Sequence, residues 1–176
     1  FTSIQAALDS ITTASDSNRF LVYVAPGVYT ERVTMKAYLD IQGSGELTTR
    51  ITFTGSAASD TGTVVGTDNA ELRFLTVENT GGAAYAIGIF NSSASPRLTN
   101  VTANATGGTY GYGVLNDSSS PMMTTVSARP SPTPLPGVDS RSMATCFTSV
   151  FDRSLTVMVS APPKALKSMV SMLSRF

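Results

Sequence analysis

Four aspartates, Asp40, Asp60, Asp68 and Asp117, fall on turns or strand edges, where a carboxylate can meet both solvent and substrate. Carboxylates do acid/base work in pairs, when their surroundings drive their proton affinities apart. Nothing in the spacing of these four marks such a pair. The chain has no histidine, which removes histidine general bases, histidine triads and histidine metal sites. Cys146 is the single cysteine and has no evident base beside it, so it reads as a spare thiol rather than a nucleophile. It also leaves no internal disulfide and no thiolate zinc cluster. No catalytic set can be assigned from these residues, and neither a metal nor a cofactor is expected.

Tyr85, Tyr110 and Tyr112 carry a different chemistry. Aromatic faces pack on apolar surfaces, the faces of pyranose rings among them, so an exposed row would form a sugar-contact platform. The plainer reading is local packing over glycine-rich bends at Gly81 and Gly82 and at Gly107 and Gly108. Asn91, Asn100, Asn104 and Asn116 each open an Asn-x-Ser/Thr sequence, a glycan acceptor in a secreted eukaryotic protein. Asparagine corners beside Ser/Thr-rich strands generate the same pattern by composition, and this second origin is preferred. "GSGELTTR", residues 43–50, lacks the Lys-Ser/Thr ending and following helix of a phosphate loop. Glu31 beside Arg32 reads as a solvated ion pair of small energetic consequence.

The elements that would hold these residues are short. The chain has 176 residues, of which 41% are hydrophobic, enough for the core of one domain. Charged residues make up only 14%, with 12 basic against 12 acidic, so neither a nucleic-acid nor an anionic-membrane footprint appears. No apolar run is long enough to span a membrane. Position 1 is Phe and no signal peptide is visible, so the start is expected to be a processed or truncated one. "FTSIQAALDSITTAS" predicts an amphipathic helix over about residues 2–14, with Thr2 and Gln5 at capping-box spacing and Ile4, Ala7, Leu8 and Ile11 on one face. Residues 19–25 predict a strand that ends at Pro26 and Gly27, and many short strand candidates follow.

Organisation comes from a repeat. "YAIGIFNSSASPRL" (residues 85–98) and "YGYGVLNDSSSPMM" (residues 110–123) align at a spacing of 25, matching Gly88 with Gly113, Asn91 with Asn116 and Pro96 with Pro121. Upstream, "LRFLTVENTGG" resembles "RLTNVTANATGG". Two or three strands and no helix per period exclude helical and leucine-rich repeats, and propeller blades need more residues. An all-β parallel β-helix fits: one coil per period of about 24–26 residues, each strand pairing with its equivalent in the next coil. Ile87, Ile89, Leu98 and Val101 would point inward, and Asn91 over Asn116 would form an amide ladder at one corner.

The first third, "FTSIQAALDSI", "FLVYVAPGVYTERVTM" and "IQGSG", resembles the start of pectin-lyase-like β-helix proteins, especially their pectinesterase branch. The G-x-Y-x-E element of that group is Gly27, Tyr29 and Glu31 here. The resemblance implies a single-stranded right-handed parallel β-helix whose N-terminal helix caps the open coil end, over residues 1–128. For the pectinesterase branch it implies two catalytic aspartates with an arginine and glutamines, in Q-D-T, D-F-I-F-G and G-R-P-W type motifs. None of these motifs occurs in this sequence.

After residue 128 the character changes. Residues 129–176 hold six of the nine prolines, four of the seven methionines and one of the fourteen glycines. One reading is a proline-rich linker, residues 129–137, followed by a segment with an amphipathic helix over residues 163–175 that covers the second coil end. The other is a shifted reading frame. Met143, Met158 and Met169 each precede Ala or Val, and such pairs become residues followed by Gly when read one base earlier. The spacing of Met143 and Met169 is again the coil period.

Three functions follow as expectations. The first is an extracellular or surface β-helix fragment associated with polysaccharide, such as pectin or another cell-wall glycan, without a catalytic set of its own. The second is a truncated pectinesterase-type carbohydrate esterase. The third is a structural repeat segment of an adhesin or surface protein. Each carries no nucleic-acid or membrane partner, and an open coil end predicts self-association.

Overall fold

The chain's first element forms where a polar cap meets an apolar stripe. Helix α1 covers Ile4–Ser10, with Ser3 as its N-cap. Ser3 Oγ accepts from the Ala6 N–H at 3.2 Å, so the cap lies one residue beyond the expected Thr2 and the helix is shorter than residues 2–14. Ile11 already has extended geometry (φ −92°, ψ 107°) and ends it. Ile4 and Leu8 are buried in the main core.

The computed structural model describes residues 1–55, 61–81 and 84–129. Along them α1 is followed by β1 (Phe20–Tyr23), β2 (Gly27–Thr30), β3 (Val33–Thr34), β4 (Leu39–Gln42), β5 (Thr49–Phe53) and β6 (Val64–Val65). Then come the longer β7 (Glu71–Asn79), β8 (Tyr85–Ser92), β9 (Arg97–Ala105), β10 (Tyr110–Asp117) and β11 (Met122–Arg129). Every pairing between these strands is parallel. A parallel pair needs a long return path, and here each return is the rest of a coil. The result is a parallel β-solenoid of about four turns, with one short helix at its N-terminus. Of residues 129–176 only Arg129, the last residue of β11, is described; Asp60, Cys146, residues 130–137 and the expected helix at 163–175 lie outside the described residues.

Two sheets line the coil. One joins β1, β4, β7, β9 and β11 with β5 and β2; the other runs β10-β8-β6-β3. Paired residues lie 25 apart in the later coils, as Tyr85 and Tyr110 or Leu98 and Met123 do. Early coils depart from that period: Phe20 pairs with Leu39, and Ile41 with Leu72. Their turns differ in length. β7 pairs with β4 through Leu72 and Arg73 and with β5 through residues 76–79, so it replaces two strands of the preceding coil by one. It does so by turning through Phe74, which is left-handed at φ 54°. Asn100 (φ 50°) and Thr125 (φ 51°) occupy the same corner in β9 and β11.

The core consists of columns, because in-register stacking places each inward residue on its equivalent. Ile41, Leu72, Leu98 and Met123 form one; Leu75, Val101 and Val126 another; Val33, Val64, Ile89 and Val114 a third. Ile87, Ile89, Leu98 and Val101 have no solvent exposure. Burying each such side chain contributes roughly 1.5–3 kcal/mol. Where Gly88 and Gly113 pass β9 and β11 the backbones of the two sheets approach closely. A Cβ on Gly113 would lie 2.5 Å from Ala103 O and 2.7 Å from Arg129 N.

Candidate functional site

Alternate residues of a strand face outward, so parallel stacking also builds outward rows. Leu21 pairs with Asp40, Glu71 with Arg97, and Arg97 with Met122. Asp40 and Glu71 each precede the paired Ile41 and Leu72. One charged row therefore crosses successive coils. A shallow recess of about 470 Å³ follows it, lined by Arg19, Asp40, Asn69, Glu71, Arg97 and Met122 among others.

Most charges in this trough are paired. Asp40 Oδ1 accepts from Arg19 Nη2 at 3.0 Å and from the Glu71 backbone N–H at 2.9 Å. Arg19 Nη2 also donates to Asn69 O at 3.0 Å. Glu71 Oε2 accepts from Arg73 Nη1 at 2.7 Å, and its Oε1 from Thr99 Oγ1 at 2.6 Å. Arg73 Nε donates to Gln42 Oε1 at 2.9 Å. The two carboxylates thus sit in matched surroundings, each held by an arginine. An acid/base pair needs opposed surroundings. The arrangement suits holding a polar ligand. Arg97 is exposed, and among the described residues its guanidinium has no hydrogen bond or ion pair.

Of these residues only Asp40 stood out in the sequence. Glu71 lies one position ahead of the aligned "LRFLTVENTGG", and Arg97 opens the matching segment. The register that joins them is visible in the repeat. The 31-residue step from Ile41 to Leu72 is not, because it breaks the period.

Gly27, Tyr29 and Glu31 are placed by β2 and the turn after it, and they meet helix α1. Glu31 accepts from Ser3 Oγ at 2.7 Å and from the backbone N–H groups of Ile4 and Gln5 at 2.8 and 3.0 Å. Glu31 is thereby not the solvated partner of Arg32. Arg32 turns away, donating to Gly62 O at 3.2 Å with its guanidinium over the Phe53 ring. Tyr29 packs partly buried against the core, and its hydroxyl donates to Ala25 O at 3.0 Å.

Tyr85 and Tyr110 stack on each other, with ring centroids 5.2 Å apart and planes at 27°. Each uses one face on its neighbour. Tyr110 and Tyr112 are 46% and 37% exposed, which leaves edges and part of their surface open to solvent. Asn91 Nδ2 donates to Asn116 Oδ1 at 2.8 Å. Asn91 is fully buried, so no glycan fits on it in the folded chain, whereas Asn116 is exposed. Asp68 accepts from the Ser95 N–H at 2.6 Å in a turn, and Asp117 accepts from Ser118 Oγ at 3.3 Å. Neither shares a hydrogen-bond partner with Asp40, although Asp68 meets the trough's rim at Ser95. No cluster of metal-ligating side chains occurs among the described residues.

No family model and no curated protein matches this sequence. Solved structures do. The pectin methylesterase from Yersinia enterocolitica aligns with a TM-score of 0.56 and 19% identity, over 69% of this chain and 46% of its own. A pectin methylesterase in complex with a hexasaccharide aligns with a TM-score of 0.50 and 18% identity, over 58% of this chain and 39% of its own. At such identity the likeness concerns architecture alone: this chain and these pectin methylesterases share a parallel β-solenoid fold. The chain spans less than half the length of these neighbours.

Proposed function

We propose that the chain is a polysaccharide-associated β-helix protein of the cell exterior or surface, which binds a glycan along the trough and has no catalytic site of its own. The observation that carries this reading is the trough itself, a polar row crossing successive coils in which both carboxylates are tied to arginines. A neighbour of the same architecture holds a hexasaccharide, which supports an extended saccharide as the occupant. Tyr110 and Tyr112 offer further sugar-contact area on the second sheet. In this reading the solenoid is right-handed, α1 covers its first coil end, and residues 129–176 are either a genuine cap or the product of a shifted frame. The encoding DNA, read across codon 128 in all three frames, separates these two.

The test is retention on immobilised pectin and on a neutral glucan, together with an assay for methanol released from methylated pectin. Retention without methanol supports the binder. Methanol release favours the second reading, a pectinesterase-type enzyme, which the architecture of the neighbours supports. Neither activity leaves a structural repeat segment. Sedimentation velocity at rising concentration tests self-association through a coil end; a monomer throughout overturns that part.

A further inference from the structure

Resting on the trough reading above, we infer that Arg97 selects the charge class of the glycan: the trough takes a saccharide bearing an anionic group, a carboxylate or a sulfate ester, in preference to a neutral one. Arg19 is matched by Asp40 at 3.0 Å, and Arg73 by Glu71 at 2.7 Å. Glu71 is the residue that faces Arg97 in the register. Its two oxygens accept from Arg73 and Thr99, and neither bonds the Arg97 guanidinium. That leaves the Arg97 guanidinium as the trough charge with no partner among the described residues, and its sign is positive.

Position supports the same conclusion. Arg97 is anchored by its backbone, whose N–H donates to Ala70 O at 2.9 Å, so its Cα is fixed while its side chain stays exposed at the recess. On one side stands the closed Asp40–Glu71 network, and on the other the thioether of Met122, 59% exposed. A guanidinium beside an apolar side chain suits a pyranose that lays its ring on the methionine and directs an anionic group to the arginine. Arginine presents several N–H donors in a planar fork and binds carboxylate or sulfate oxygens bidentately. An ester or a hydroxymethyl group at that place offers no charge to meet it.

The experiment compares the full chain with Arg97→Gln for binding to four probes: de-esterified oligogalacturonate, its fully methyl-esterified form, a sulfated dextran and plain dextran. Arg129→Gln is the control, since Arg129 is likewise exposed and has no ion-pair partner among the described residues, but lies away from the trough on the far end of β11. Circular dichroism and unfolding midpoints confirm that both variants fold. The expected result is that the parent chain prefers the anionic probes. Arg97→Gln should lose that preference, weakening anionic binding roughly tenfold or more, the size of one charge-assisted pair, while Arg129→Gln keeps it. Preference for the carboxylated or the sulfated probe identifies the source of the anion. Equal loss in both variants would mean diffuse charge attraction and overturns the assignment of Arg97. Binding to every probe regardless of charge also overturns it while leaving the trough reading intact. Binding to none overturns both.

Discussion

Glu31 illustrates how one side chain can fix an element. The first N–H groups of a helix have no partner within it. The Glu31 carboxylate takes two of them, from Ile4 and Gln5, and the Ser3 hydroxyl as well. At the other end Lys36 Nζ donates to Leu8 O at 3.1 Å and Ile11 O at 2.8 Å. A negative group thus meets the positive end of the helix dipole and a positive group the negative end. Gln5 Oε1 in turn accepts from the Thr34 N–H at 2.7 Å, so the helix also satisfies a donor of β3. Glu31→Ala should cost about 2 kcal/mol, from the loss of charge-assisted bonds to partly buried donors, read as a lower midpoint in guanidinium unfolding. The Asn91 side chain shows the limit of a ladder. Its amide N–H reaches Asn116, but its Oδ1 has no partner and faces Gly66, where a Cβ would collide with that oxygen. Gly66 stands one residue beyond the Val65–Phe90 pair, so the asparagine row ends there for want of a side chain.

At the scale of elements, stacking imposes two conditions that act in opposite ways on substitutions. Where β10 crosses β11 and β9, the backbones approach too closely for any side chain. Gly113→Ala places its methyl 2.5 Å from Ala103 O and 3.0 Å from Ala128 Cα, atoms of rigid backbone. Overpacking of this kind costs about 1–3 kcal/mol or more, and a drop in thermal midpoint with an unchanged far-ultraviolet spectrum checks it. The corner at Phe74, Asn100 and Thr125 behaves differently. All three are left-handed, a region where asparagine is tolerated and a β-branched residue is strained. Thr125→Asn should therefore stabilise the chain by roughly 1 kcal/mol, seen as a higher denaturation midpoint. Asn100 at that corner also opens one of the Asn-x-Ser/Thr sequences. Its presence there has a backbone reason independent of any glycan.

The molecule as a whole is a one-dimensional stack, in which each strand pairs with its equivalents in the adjacent coils. β7 and β9 are each paired on both sides, to β4 and β5 and to one another and β11, whereas β1 and β2 pair on one side. Hydrogen exchange should accordingly be slowest in β7 and β9 and faster in β1 and β2; uniform protection would contradict this. Leu98→Ala, in the middle of the column between Leu72 and Met123, should cost about 2–5 kcal/mol in chemical denaturation. By itself the sequence determined the repeat unit, the inward residues Ile87, Ile89, Leu98 and Val101, the pairing of Asn91 with Asn116, and the presence of a leading helix. Those properties are local or periodic: alternation along a strand and recurrence every 25 residues are written in one dimension. Only the tertiary structure decided that Glu31 serves the helix and that Asp40 and Glu71 share a row with Arg97. It also decided that the corner sits at Phe74, Asn100 and Thr125. These depend on coils of unequal length coming into register. A 31-residue step from Ile41 to Leu72 leaves no period to read, while hydrogen bonding between β4 and β7 fixes the pairing without ambiguity.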